Sequence, residues 1–205
     1  MLRVGLTGGI ATGKSTVAAI LRDLDYPVLD ADPIGHEMLE PDQPTYDEIV
    51  HEFGKEILDA GGQVNRGKLA RIVFADAQKR DRLNHILHPR ILTVVRKWFA
   101  ALDRPRGPDL AIVEAALIIE AGYDKDLDRV IVCCCRPDQQ LERLLERGMT
   151  TEQAQQRIAA QMPMEEKSRL AHEVIDCSGS IEATEEQIAE TLKRLLQSPA
   201  SNKNA

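Results

Sequence analysis

A glycine-rich motif near the amino terminus constrains this chain more than any other feature. Residues 8–15 read Gly-Gly-Ile-Ala-Thr-Gly-Lys-Ser and satisfy the spacing G-x-x-x-x-G-K-[ST] in full. The apolar run Leu2–Thr7 suits a buried parallel strand, and apolar residues recur at helical spacing from Lys14 to Leu24. Because a strand, a glycine turn and a helix in this order direct backbone N–H groups into one concave site, the sequence predicts a phosphate-binding loop.

Each part of this phosphate loop, residues 8–16, has an expected role in holding ATP and Mg²⁺. The Lys14 ammonium group is expected between the β- and γ-phosphates, and the Ser15 hydroxyl is expected to complete the coordination of Mg²⁺. The predicted nucleotide-contacting residues are Gly9, Ile10, Ala11, Thr12, Gly13, Lys14, Ser15, Thr16 and, from a later helix, Arg147.

The rest of the pattern predicts an α/β fold of three layers, in which helices flank a parallel sheet. Four further strands are predicted at Pro27–Leu29, Leu110–Val113, Val130–Cys135 and Glu173–Asp176. Between them, residues 33–103 and 137–171 are mostly helical in pattern, with a turn expected at Pro89. A final amphipathic helix is expected from Ile181 to Leu196, followed by a flexible tail over residues 199–205.

Composition and charge argue against several classes of function. A net charge of −7 and 3% aromatic residues leave too few cations and too few stacking rings for a nucleic-acid binder. The longest apolar runs fall short of the roughly 20 residues that a membrane span needs, and the first strand leaves no room for a signal peptide. The consecutive cysteines Cys133, Cys134 and Cys135 have neither zinc nor disulfide spacing and are predicted to lie in a buried strand. We therefore expect a cytoplasmic protein, a monomer or weak homo-oligomer, without nucleic-acid or membrane partners.

Three acidic residues follow predicted strands at the sheet edge where ligands of such folds bind. Asp30 and Asp32 are expected to project from one face while the chain stays extended, with Asp32 as the base for an attacking hydroxyl and Asp30 near a magnesium-bound water. Alternatively, one or both only cap the helix that starts at Pro33. Glu114 is expected either to serve magnesium and its waters or to be a solvated charge at the end of its strand.

A charged helical segment carries three candidate arginines. Arg143 and Arg147 lie one turn apart and share a face, which would let a mobile segment bring positive charge to the γ-phosphate. Arg157 is a further candidate on the same segment. The alternative is that these arginines only pair with neighbouring glutamates on a hydrated helix surface.

Motifs in order along nearly the whole chain resemble the dephospho-coenzyme A kinase family, a branch of the nucleoside-monophosphate-kinase-like P-loop proteins. The matching blocks are Val4–Thr16, Leu29–Asp32, Ile34–Glu37, Leu87–Pro89, Arg157–Gln161 and Val174–Gly179. Two blocks depart from the family. Residues 116–120 read Ala-Leu-Ile-Ile-Glu in place of Pro-Leu-Leu-Phe-Glu, and Cys177 stands where the family usually has asparagine.

The resemblance implies transfer of the ATP γ-phosphate to the 3′-hydroxyl of the ribose of dephospho-coenzyme A. It also implies one domain over residues 1–198: a core of residues 1–63, 104–136 and 171–197, a helical substrate-binding insertion at about 64–103, and a lid at about 137–170. By position, Asp32 is the implied base and substrate contact, Lys14 the phosphate-binding lysine and Arg143 a lid arginine. Arg66 and His88 are implied substrate contacts, although His88 is equally well explained as a structural histidine before the turn at Pro89.

Two other functions remain open at this point. A P-loop ATPase switch would hydrolyse its nucleotide to change partners, although its guanine-specific form needs an Asn-Lys-x-Asp block that the chain lacks. A kinase acting on another small metabolite or a nucleoside monophosphate would share the phosphate loop and differ in the acceptor pocket.

Overall fold

A computed structural model describes residues 1–197, and the predicted tail, residues 199–205, lies outside them. Its five strands are β1 (Leu2–Gly8), β2 (Val28–Asp30), β3 (Leu110–Glu114), β4 (Arg129–Cys134) and β5 (Glu173–Asp176). They form one parallel sheet in the order β2-β3-β1-β4-β5. The predicted strands and the α/β fold class are therefore confirmed.

The helices are α1 (Lys14–Asp23), α2 (Asp32–Glu37), α3 (Pro44–Phe53), α4 (Arg66–Ala75), α5 (Ala77–Leu102), α6 (Pro137–Glu146), α7 (Thr151–Ala159), α8 (Met164–Arg169) and α9 (Ile181–Gln197). The chain divides into two compact units. Among the described residues, the first unit is Met1–Asp30 together with residues 98–197, and the second unit is Ala31–Lys97. Within residues 1–197, no helix has the length and apolar character that crossing a membrane requires.

Both faces of the sheet in the first unit are covered. On one face, Val17 and Leu21 of α1 and Ile188 of α9 pack with alternate apolar side chains of the strands. On the other face, a Cβ atom added to Gly5 would lie 2.6 Å from a methyl group of Leu127. Because strands buried on both faces carry mostly apolar residues, the three central strands β1, β3 and β4 could be recognised as short apolar runs without alternation.

The second unit is helical and has its own core, formed mainly by α3, α4 and the first part of α5. The predicted turn at Pro89 is wrong, because α5 continues through this residue. A proline removes one backbone hydrogen bond from a helix but does not end it when the flanking turns are held by packing. Here Ile86 is 7% exposed, and its carbonyl also accepts a hydrogen bond from the Arg90 guanidinium (2.6 Å).

Candidate active site

The phosphate loop has the tight curvature that its glycine-rich sequence predicts. Gly13 adopts φ 103°, which favours glycine, and serves as the N-cap residue of α1 without a side chain to satisfy the first N–H groups of the helix. A Cβ atom at Gly8 would lie 2.6 Å from the Cys133 carbonyl oxygen, and one at Gly13 would lie 2.7 Å from Cys177 Cβ. Larger residues at these two positions would collide with β4 and with Cys177, so the glycines let the loop pack closely, and its open helix end forms a cradle that fits a phosphate group.

Lys14 and Glu114 form a buried ion pair beside the loop. Lys14 Nζ lies 2.9 Å from Glu114 Oε1, and an Arg22 guanidinium nitrogen lies 3.2 Å from Glu114 Oε2. Because Glu114 is only 2% exposed, its interpretation as a solvated charge is wrong. A buried carboxylate needs such cationic partners, and here they place the Lys14 ammonium group next to the loop.

Three side chains from the predicted lid segment hydrogen-bond to the backbone of the phosphate loop. Gln140 Nε2 donates to the Ile10 carbonyl (2.7 Å), and the Ile10 N–H donates to Gln161 Oε1 (2.7 Å). Arg143 donates to the Ala11 carbonyl (3.2 Å) and to the Cys177 carbonyl (2.9 Å). In this structure Arg143 therefore supports the loop backbone, and the alternative of surface pairing with neighbouring glutamates does not describe its contacts.

The other loop and lid residues differ in exposure. Ser15 and Thr16 are exposed on the first turn of α1, whereas Thr12 is buried and donates its hydroxyl to the Gly9 carbonyl (2.9 Å). Arg147 is the exposed C-cap residue of α6, and Arg157 is partly buried on α7. Mg²⁺ keeps several waters and binds largely through substrate phosphates, so one exposed hydroxyl such as that of Ser15 is a fitting protein ligand.

The geometric argument that placed Asp30 and Asp32 on one face is wrong. Asp30 ends β2, but Ala31 has helical dihedral angles (φ −86°, ψ −16°) and Asp32 is the first residue of α2. Pro33 is the second residue of α2, a position where the fixed φ of proline is compatible with the first helical turn. Ala31 is the N-cap residue, so neither aspartate occupies the capping position of the alternative interpretation.

Arg66 and His88, the implied substrate contacts, belong to the second unit. Arg66 is exposed and opens α4 directly after the N-cap residue Asn65. His88 lies within α5, where burial, and secondly the nearby His85, lower its pKa. Its side chain is therefore neutral at pH 7 and suited to donate or accept a hydrogen bond rather than to pair with an anion.

The cysteines are free thiols. Cys133 is fully buried as predicted, whereas Cys134 and Cys135 are partly exposed. Burial raises the pKa of Cys134 to about 11, which keeps this thiol protonated at neutral pH.

The most deeply buried cation of the site was missed by sequence reasoning. Lys167 of α8 is 0% exposed, and its Nζ lies 2.8 Å from Glu120 Oε1 and 3.0 Å from the Ala116 carbonyl. Nothing in a charged helical segment distinguishes a buried lysine from a solvated one. Gln161 ends a block that the resemblance identified, but its partner Ile10 is 151 positions away and could not be inferred.

The comparisons with known proteins agree on one family. The family model described as dephospho-CoA kinase matches residues 2–183. The dephospho-CoA kinase of Carboxydothermus hydrogenoformans is 44% identical over 93% of this chain and 93% of its own length. Among solved structures, TT1252 from Thermus thermophilus is 32% identical with a TM-score of 0.79, over 95% of this chain and 97% of its own. The dephospho-CoA kinase from Campylobacter jejuni is 25% identical with a TM-score of 0.67, over the same shares. With the phosphate loop formed and the match spanning most of the sequence, this chain belongs to the dephospho-CoA kinase family.

Proposed function

We propose that this chain transfers the γ-phosphoryl group of ATP to the 3′-hydroxyl of the ribose of dephospho-coenzyme A, the last step of coenzyme A synthesis. The observation that carries the proposal is the glycine cradle of the phosphate loop, with the Lys14–Glu114 pair beside it, in a chain of this family. The acceptor follows from the relatives, whose names specify dephospho-CoA as the substrate that they phosphorylate.

The nucleotide is held by groups of the first unit. Backbone N–H groups of the loop and the amino-terminal end of α1 bind phosphate oxygens, and the Lys14 ammonium group binds between the β- and γ-phosphates. Glu114 and Arg22 fix the position of Lys14 through the ion pairs described above. Mg²⁺, when bound with the nucleotide, neutralises phosphate charge, and Ser15 is the residue that would hold it.

Asp32 is the proposed general base. Its carboxylate takes the proton of the ribose hydroxyl while the hydroxyl oxygen forms a bond to the γ-phosphorus, and the bond to the ADP oxygen breaks. The position of Asp32, two residues after the end of β2, supports this role because ligands bind beyond the carboxyl ends of parallel strands.

The remaining site residues are assigned to the lid and the substrate-binding insertion. Arg143 and Arg147, in a lid at about residues 137–170, supply positive charge to the phosphates as the reaction proceeds. In the insertion at about residues 64–103, Arg66 binds the anionic part of the acceptor and neutral His88 forms a hydrogen bond to it. Lid closure over the nucleotide would also exclude water, which otherwise competes with the acceptor hydroxyl.

We place the enzyme in the cytoplasm as a monomer or weak homo-oligomer without a nucleic-acid partner. Free thiols suit a reducing compartment, and the net charge of −7 opposes general attraction to nucleic acid.

An acceptor panel tests the proposed function. Purified protein with Mg·ATP is expected to release ADP far faster with dephospho-coenzyme A than with AMP, CMP, shikimate or no acceptor, and mass spectrometry should identify coenzyme A as the product. Equal rates with every acceptor and with water would favour an ATPase switch. Rapid turnover of another acceptor alone would assign a different kinase.

A further inference from the structure

The arch of the phosphate loop, residues 9–11, is held at Ile10 by two glutamine side chains, which bond the N–H and the carbonyl of this residue. Its carbonyl accepts from Gln140 Nε2 and its N–H donates to Gln161 Oε1, both at 2.7 Å. Gln140 is only 5% exposed and Gln161 is partly buried. Since both peptide groups of one residue are engaged, the arch cannot change its backbone orientation without breaking at least one of these bonds.

The two glutamines are themselves fixed by the surrounding elements. Gln140 lies on α6. Arg143 of the same helix donates a hydrogen bond to the carbonyl of the next loop residue, Ala11. Gln161 lies in the turn between α7 and α8, and the following N–H, that of Met162, donates to Glu120 Oε1 (3.2 Å). The same Glu120 oxygen lies 2.8 Å from the fully buried ammonium group of Lys167. A continuous polar frame thus connects the predicted lid segment to the loop.

The roles of the two glutamines differ chemically. At position 140 the side chain must donate a hydrogen bond, and at position 161 it must accept one. The curvature of the loop depends on the orientation of the Ile10 peptide groups, because the neighbouring N–H groups face the anion site only in one backbone conformation. We propose that Gln140 and Gln161 are positioning residues that hold the arch in its phosphate-binding shape and thereby couple the segment α6–α8 to ATP affinity; this inference rests on the proposed use of ATP.

Replacement by glutamate or leucine separates these roles from the effect of added charge. A carboxylate accepts but does not donate, so Gln161→Glu keeps its bond to Ile10 while Gln140→Glu loses its bond and opposes a carbonyl oxygen. Gln161→Leu removes the acceptor without adding charge. Gln156→Glu, on the exposed side of α7, is the matched control for charge.

In steady-state assays with Mg·ATP and dephospho-coenzyme A, Gln140→Glu and Gln161→Leu are expected to raise the KM for ATP about tenfold, with a smaller change in kcat. Gln161→Glu should raise the KM for ATP less than Gln161→Leu does. Repulsion between the added carboxylate and the phosphates alone would give the reverse order. Gln156→Glu should match the parent protein. Because Gln161 is only partly buried, both of its variants are expected to fold even if Gln140→Glu does not.

A KM for ATP in Gln161→Leu that equals or lies below that of Gln161→Glu would overturn the inference, and so would a parental KM in folded Gln140→Glu. Calorimetric titration of each variant with Mg·ATP gives the same comparison without turnover. If the parent protein failed to phosphorylate dephospho-coenzyme A, the proposed function would fall, while the titrations would still decide whether the glutamines govern nucleotide affinity.

Discussion

At the scale of single residues, the carboxylate of Glu114 links the sheet to the phosphate loop. It ends β3 in a buried position, where an unpaired charge would be very unfavourable, and both of its cationic partners come from α1. Lys14 and Arg22 are about two helical turns apart, so one face of α1 reaches the same carboxylate twice. The lysine that the motif assigns to phosphate is therefore already oriented by the fold.

The proposed base gives the sharpest prediction for a single residue. Asp32→Asn is expected to lower turnover of dephospho-coenzyme A by about 10²-fold or more, the usual contribution of a general base, with little change in ATP affinity. Turnover is measured at saturating substrates, and ATP affinity by calorimetry. Asp42→Asn, an exposed aspartate of the same unit, is the control. Retention of most of the parental rate in Asp32→Asn would remove the residue from catalysis.

The sequence motif was informative for residues whose contacts are local and much less so for distant contacts. The loop from Gly8 to Ser15 could be assigned because its curvature depends on neighbours in the chain. Gln140 and Lys167 owe their roles to partners 130 and 51 positions away, and a sequence pattern does not specify such pairs. The arrangement of Asp30 and Asp32 was mistaken because one residue, Ala31, turns helical between them.

At the scale of elements, α8 depends on its buried lysine. The Lys167 ammonium group satisfies the Glu120 carboxylate and the Ala116 carbonyl, which also accepts from the Thr7 hydroxyl at 3.1 Å. One cation therefore joins α8 to the segment that follows β3 and, through the shared carbonyl, to the end of β1. Because its removal takes the charged donor away from the Glu120 carboxylate and from the Ala116 carbonyl, the lysine is expected to matter for stability.

Replacing Lys167 tests this dependence. Lys167→Met keeps most of the side-chain volume but removes the charge, and it is expected to lower the free energy of unfolding by about 1–3 kcal/mol, since Glu120 loses its buried partner. Urea denaturation measures the change. Arg169→Met, an exposed position on α8, is the control and should unfold like the parent protein. The same unfolding free energy for Lys167→Met and the parent would mean that the ion pair only compensates for its own desolvation.

Helix α5 gives a prediction for pH dependence. Burial and, secondly, His85 hold the pKa of His88 below its usual value of 6.5, so the unfolded chain takes up a proton at higher pH than the folded chain. Stability from the neutral form is therefore present above about pH 6.5 and is lost as the pH falls toward the lowered pKa. His88→Gln should reduce the fall in melting temperature between pH 7.5 and pH 5.5. An unchanged fall would show that other groups cause the acid sensitivity.

At the scale of the whole molecule, the strands of one sheet come from sequence segments that precede and follow the helical second unit. β1 pairs with β3 in the register Leu2–Leu110, and the second unit, Ala31–Lys97, lies between β2 and β3 in the sequence. The central strands β1, β3 and β4 could be predicted because each is a short, mostly apolar run. Their spatial order could not, because parallel neighbours are joined by long connections and not by hairpin turns with recognisable residues.

Ligand binding to the phosphate loop should stabilise the chain measurably. At 100 times its dissociation constant, a ligand of the folded state adds about 2.7 kcal/mol, which corresponds to about 5–10 °C in melting temperature for a chain of this size. Mg·ATP is expected to give the parent protein such a shift. Lys14→Ala should lose most of it at the same nucleotide concentration, because the phosphates lose their ammonium partner.

Turnover of Lys14→Ala should fall together with its nucleotide affinity, since the same charge acts in the bound complex and in the transition state. The melting temperature of the variant without nucleotide separates this effect from a loss of folding, because Glu114 would keep only Arg22 as its charged partner among those described above. If Lys14→Ala folded normally and showed the full parental shift with Mg·ATP, the lysine would not bind the triphosphate. The cradle alone would then have to supply the affinity.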